Sequence, residues 1–261
     1  MKRHLFLVLN HGDKLHPLPN VKVDREGYQK FFQSPEGGYW DKEEEISVYN
    51  DNFHLEYLKE YIESQKKTDT PCELIVFIFC GHGCTDTSGE YWFEVRPDGT
   101  AGADISLSQF KQVCKGVRTL LIYDACSALY TGPLHEQRLF SMRGVTDSSA
   151  IYALKCRTLY NAMVRLTPQD TFTAGFAAAN GESAGENENG GYYSQSILKE
   201  SRSAIQQLKD GSIYQGLQHV PFVYIHEEAK PGVIKLSDGT QHPQIDQPRN
   251  KVQLPFVVVA K

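Results

Sequence analysis

Two residues able to share nucleophilic chemistry, His82 and Cys126, each stand just beyond an apolar run. Residues 74–79 lead into Cys80-Gly81-His82-Gly83, and residues 120–123 lead into Asp124-Ala125-Cys126-Ser127. A thiol attacks well only as thiolate, and a neighbouring imidazole can take its proton or hand one to a departing amine. Glycines flank His82 on both sides and allow close approach of backbone to a bound group, so the N–H groups of Gly83 and Cys126 can serve an oxyanion. Taken singly, each residue reads better as packing, since buried free cysteines and strand-ending histidines are common. Both together, each after a long apolar run and beside small residues, favour chemistry.

For the two to meet, both runs must be parallel strands whose carboxyl ends open on the same side, where an α/β sheet holds its ligand. The surrounding pattern supplies such strands. Residues 2–9 read as a first buried strand, residues 17–32 as a turn and a helix, and residues 45–49 as a short second strand. Asp51 and Asn52 offer an N-cap for a helix over 53–66, with Leu55, Leu58, Tyr61 and Ile62 on one face. Residues 91–95 suggest a small hairpin, and Ser106 with Gln109 fits a capping box opening a helix to Lys115. Residues 171–179 form a fifth strand. Residues 192–208 form an amphipathic helix after a Gly- and Asn-rich stretch, 181–191, suited to a mobile loop at the rim of a site. Residues 219–229 carry helix and strand signals and are read as helix. Residues 254–260 close the chain as a strand at the sheet edge, because Pro255 cannot donate a ladder bond. Alternating strands and helices predict an α/β fold, a three-layer α/β/α sandwich with a mainly parallel six-stranded sheet. Residues 130–170 show no obvious uninterrupted strand and read as a long connection, with helix over part of it as an option.

The chain has 261 residues, 40% hydrophobic and 23% charged, enough for one sizeable core, so a single domain over 1–261 is expected. A net charge of −5 with both signs interspersed gives no concentrated positive field, which argues against nucleic acid and membrane surfaces as partners. Residues 5–9 are too short an apolar run for a signal peptide or a membrane span. The six cysteines sit mostly within apolar runs and read as reduced thiols, which points to a cytoplasmic setting. Cys80, His82 and Cys84 invite a zinc reading, but no second Cys/His cluster completes a tetrahedral set, and no metal or other cofactor is expected. Asn10-His11-Gly12-Asp13-Lys14 does not fit a dinucleotide fingerprint.

The motifs Phe79-Cys80-Gly81-His82-Gly83 and Asp124-Ala125-Cys126-Ser127, 44 residues apart from His82 to Cys126, resemble those of the caspase-like cysteine peptidases: caspases, paracaspases, metacaspases and orthocaspases. The element order extends the resemblance over most of the chain, and Gln241-His242-Pro243-Gln244 looks metacaspase-like. The resemblance implies a caspase-like fold and peptide hydrolysis through a thioester, with His82 as acid/base, Cys126 as nucleophile and no third catalytic residue. It implies a large-subunit-like part over 1–137, a connecting segment over 138–170 and a small-subunit-like part over 171–261.

Asp124 lies two residues before the nucleophile and so faces the same side of its strand. In metacaspases the matching aspartate, with another at the start of the first helix, lines an acidic pocket, and Asp24 occupies the similar position. Two carboxylates bind a guanidinium bidentately and repel an acid, which implies protein or peptide substrates with Arg or Lys before the cleaved bond. Taken singly, Asp124 also reads as a strand-end cap and Asp24 as a first-turn helix charge. Cys80 replaces the serine usual in that motif and is expected to shape the pocket wall. Arg138, Arg143 and Arg165 in the connecting segment are expected sites of self-processing, with a solvated surface as the alternative reading. Calcium activation is possible by family analogy, but Asp86, Asp98 and Asp104 make no evident ligand set. The chain is expected to be a monomer or a homodimer through its last strand. A competing reading is a catalytically silent or self-inhibited module that binds partners through the strand near Phe256.

Overall fold

A computed structural model describes residues 1–69, 71–96, 104–126, 148–212, 216–249 and 251–261. Six strands build the central sheet: β1 (Lys2–Leu9), β2 (Ile46–Asn50), β3 (Cys72–Gly81), β4 (Arg118–Ala125), β5 (Phe172–Phe176) and β6 (Gln244–Asp246). Their spatial order is β6-β5-β4-β3-β1-β2, and every pairing is parallel except that of β6 with β5. Strands buried on both faces need no polar side, which is why β1, β3 and β4 read as unbroken apolar runs.

Alternate residues feed two cores. Leu5, Leu7, Val76, Ile78, Leu120 and Ile122 face a cluster shared with helices α1 (Val21–Gln33), α5 (Tyr192–Asp210) and α6 (Phe222–Leu236). Cys156, Tyr160 and Val164 of α4 (Ser148–Leu166) join that same layer. Phe6, Val8, Ile75, Phe77, Phe79 and Leu121 face the other way, towards α2 (Leu55–Lys66) and α3 (Leu107–Val113). The result is the three-layer α/β/α sandwich expected from the alternation.

Several local expectations hold. Ser106 and Gln109 form the capping box at α3, and Tyr91–Phe93 pairs with Gly83–Thr85 and Ile105–Ser106 in a small antiparallel sheet. Residues 219–229 contain a three-residue strand, His219–Pro221, and then the start of α6. The connection over 130–170 is partly helical, through the 19-residue helix α4.

Others are corrected. Asp51 does not cap α2: it adopts φ +59 and its carboxylate accepts the His11 N–H at 2.7 Å, while His54 occupies the cap position. The last strand, Pro255–Val258, is not an edge of the central sheet. It pairs with His219–Pro221, and Phe256, Val257 and Val258 are fully buried. Buried there, the strand offers no open face for a homodimer or for a partner near Phe256; the sixth strand of the sheet is β6 instead.

Around β1 an ion cluster fastens α4. Arg3, 1% exposed, donates to Glu45 Oε1 at 3.2 Å, and Arg157 of α4 grips the same carboxylate at 2.6 and 2.9 Å. The Arg3 guanidinium also lies 4.2 Å from the centroid of Trp40. Burial opposes ionisation of Glu45, yet the two guanidinium groups hold its carboxyl below the ordinary range.

Candidate active site

β3 and β4 are neighbours in parallel register, with Cys80 opposite Asp124 and Gly81 opposite Ala125. His82 is the first residue past β3 and Cys126 the first past β4, so both emerge on the same rim. They line one narrow cleft of about 30 Å³, together with Asp24, Asp124, Glu186, Leu18, Val21, Ala184, Gly185 and Gly191.

His82 is oriented by main chain. Its Nε2 lies 2.8 Å from the carbonyl oxygen of His16. A carbonyl only accepts, so the ring proton sits on Nε2 and the neutral ring carries its lone pair on Nδ1. The turn presenting that carbonyl is closed by a bridge between Gly12 and Pro17 and by Asp13 Oδ1, which accepts the N–H groups of Leu15 and His16 at 2.7 Å each. Those bonds hold the Asp13 carboxyl below its ordinary range.

Cys126 Sγ donates to the Ala184 carbonyl at 3.4 Å. Burial pushes its pKa upward, and the charges of Asp124 and Glu94 add to the shift, so the resting group is a thiol. Gly83 falls between two hydrogen-bonded positions of its ladder, since Glu94 N donates to His82 O and Asp86 N to Glu90 O. Antiparallel alternation therefore turns the Gly83 N–H away from the Tyr91–Phe93 strand. A Cβ at Gly83 would meet the Tyr123 hydroxyl at 1.8 Å, so only glycine fits.

Beside this pair lies an acidic wall built from three separate elements. Asp24 of α1 is 2% exposed, and both its oxygens accept the Gly191 N–H at 3.1 Å. Asp124 Oδ2 accepts the Ser194 N–H at 2.9 Å in the first turn of α5, whose positive end suits a carboxylate. Glu186 Oε1 accepts from Asn20 Nδ2 at 3.2 Å. Among the described residues no Lys or Arg is paired with any of the three. Burial, then the charge of Asp124, drives the Asp24 carboxyl well above its usual range; burial raises Asp124 to about 6 and Glu186 to about 7. Gly190 and Gly191 press on this wall: at φ +100, a Cβ on Gly190 would stand 2.0 Å from Asp24 Oδ1.

His82, Cys126, Asp24 and Asp124 thus line one cleft. Glu186 was not anticipated; its only signal was an acid within the Gly- and Asn-rich stretch. That stretch is folded into the site, with Gly190 and Gly191 buried. Cys80 lies behind the carboxylates rather than in the cleft, 1% exposed with its sulfur 3.9 Å from Ser194 Oγ. Arg165 occupies the last turn of α4 and pairs with Glu73 at 3.1 Å, while Arg138 and Arg143 lie outside the described residues. Asp86 is engaged by Ser88 and Trp92, Asp98 lies outside the described residues, and among the described residues no group of three His, Cys, Asp or Glu side chains is placed to hold a metal ion. Among the described residues no helix is long and apolar enough to cross a membrane.

The family profile described as "Caspase domain" matches residues 3–254. Among solved structures, caspase-1 from Spodoptera frugiperda is similar with a TM-score of 0.54 at 13% identity, over 94% of this chain and 86% of that one. No curated protein sequence matches the chain.

Proposed function

Because the chain belongs to the caspase-domain family of cysteine peptidases, we propose that it is an endopeptidase cleaving after Arg or Lys, with His82 and Cys126 as the dyad. The observation that carries this reading is the trio Asp24, Asp124 and Glu186 beside the thiol, the first two buried and the third partly buried, with no Lys or Arg paired to them among the described residues. Buried carboxylates that close cannot all ionise cheaply, and an incoming guanidinium or ammonium supplies the missing charge.

In this mechanism the Cys126 sulfur attacks the scissile carbonyl carbon as its proton leaves towards His82. The oxyanion is received by the N–H groups of Cys126 and Gly83. His82 then protonates the departing amine, the C–N bond breaks and a thioester remains, which water hydrolyses to release the acid and restore the thiol. At about 30 Å³ the cleft is narrow, and Gly191 forms part of its lining. That narrowness favours a self-inhibited resting form as the second reading.

The test compares fluorogenic peptides ending in Arg, Lys and Asp. Faster cleavage of the Arg and Lys peptides, abolished in Cys126→Ala and His82→Ala, is expected; faster cleavage of the Asp peptide ends the basic-residue reading. Self-processing is proposed at Arg138 or Arg143 ahead of Arg165, since peptidases bind extended chain and Arg165 is helical and paired. Wild type that stays intact, or fragments no more than Cys126→Ala, removes it.

A further inference from the structure

Gln241 lies far along the chain from both dyad residues, yet its side chain is completely buried beneath the cleft. Its Oε1 accepts the Gly185 N–H at 2.9 Å and its Nε2 donates to the Ala177 carbonyl at 2.9 Å. Ala177 continues β5 and is itself fixed, its N–H donating to the Tyr123 carbonyl of β4 at 2.9 Å. Gly185 is held from its other side too, since its carbonyl accepts the Tyr192 N–H at 2.9 Å. The carboxamide therefore ties the loop to the rigid sheet through a donor and an acceptor used at once, which an ionised carboxylate or a thioether of the same length cannot supply.

Gly185 stands between two cleft residues. Ala184 receives the Cys126 S–H, and Glu186 carries the third carboxylate. We propose that Gln241 is a positioning residue, fixing Gly185 and through it the Ala184 carbonyl over the thiol and the Glu186 carboxylate opposite Asp24 and Asp124. His242 reinforces the same loop, its N–H and Nδ1 meeting the Glu182 carboxylate at 2.7 Å each. The proposal rests on the peptidase reading for its kinetic part and stands apart from it for its chemical part.

Two variants separate positioning from mere stability. Gln241→Met keeps the length and loses both bonds. Gln241→Glu keeps both when protonated, because a carboxyl group has one O–H and one carbonyl, and loses the donor when ionised. The KM for an Arg peptide should rise about tenfold in Gln241→Met with kcat little changed, the scale of one buried hydrogen bond left unmade. In Gln241→Glu the KM ratio to wild type should shrink towards one as pH falls from about 8 to about 6, a dependence general destabilisation does not produce. Alkylation of Cys126 by iodoacetamide, followed by peptide-resolved mass spectrometry, should quicken several-fold in Gln241→Met as the Ala184 cover loosens.

Unchanged alkylation in a folded Gln241→Met protein overturns the proposal whether or not the wild type cleaves peptides. So does a pH-independent KM in Gln241→Glu. Should Gln241→Met fail to fold, Gln241→Glu, alkylated at both pH values, decides the same question: faster labelling at the higher pH only, relative to wild type, supports positioning, and an equal ratio refutes it. A wild type that ignores Arg and Lys peptides while the alkylation prediction holds would refute the specificity and leave Gln241 in place.

Discussion

His82 and His16 are joined through the ring of one and the backbone of the other, Nε2 to carbonyl oxygen at 2.8 Å. A peptide carbonyl cannot take a proton at ordinary pH, so it fixes the tautomer without competing for the proton the reaction moves.

The contact to His82 is thus made by the His16 backbone and not by its side chain, so the turn that presents the carbonyl is expected to matter most. His16→Ala should leave kcat within about twofold of wild type. Asp13→Ala, which frees the Leu15 and His16 N–H groups, should lower kcat about tenfold with KM little affected. Steady-state kinetics on an Arg peptide decides it, and equal effects from the two substitutions would contradict the assignment.

The acidic wall makes stability depend on pH with a definite sign. Carboxyl groups raised in the folded state bind protons more tightly there than in the unfolded chain. Their contribution is complete below the ordinary carboxyl range and is lost as pH climbs through about 6 for Asp124 and about 7 for Glu186. Burial drives His4 to about 4 and His226 to about 3, which works in the opposite direction at acid pH, so the informative quantity is a difference. Relative to wild type, Glu186→Gln should gain melting temperature as pH rises from about 5 to about 8. A difference that is flat across that range would show the carboxyl ionising normally.

Glu45 is predicted to matter to stability and not to cleavage. Its removal in Glu45→Gln leaves the buried Arg3 and the half-buried Arg157 without their anion, and the cost should be about 3 kcal/mol in urea unfolding. A loss under about 1 kcal/mol would mean that Asn161 and the Gly38 and Tyr39 carbonyls satisfy both guanidinium groups unaided.

The strand-borne half of the site was legible because parallel-sheet strands are apolar without interruption, and a polar residue closing such a run has few places to be. His82, Cys126 and Asp124 are all of that kind. Asp24 was legible only through family likeness, since a first-turn acid is ordinary on any helix. Glu186 was hidden because its neighbours are glycine and asparagine and its partner, Asn20, is distant in the chain, which no local pattern reports. Asp51 looked like a cap and was recruited by His11 instead, tertiary contact overriding local preference. α4 carries a helical stripe in Ala153, Cys156, Tyr160 and Val164, interrupted by arginines, so the extent of helix within the long connection was not defined by the sequence. The last strand misled because an apolar run with proline fits an edge, yet it is covered by Phe31, Phe32 and Phe222.

The clamp around Glu45 bears on what a nick would do. Strands β4 and β5 lie side by side from Thr119–Phe172 to Tyr123–Phe176, although residues 127–147 and α4 intervene in the chain. Scission within 127–147 would cut no residue of the β4–β5 ladder, of α4 or of the core positions named above. The fragments should elute together in gel filtration and part only in denaturant, whereas separate elution would mean that the intact backbone does the holding. Seen this way, assembly across that gap is noncovalent already, and the peptide bonds spanning it govern when the halves first meet rather than whether they stay.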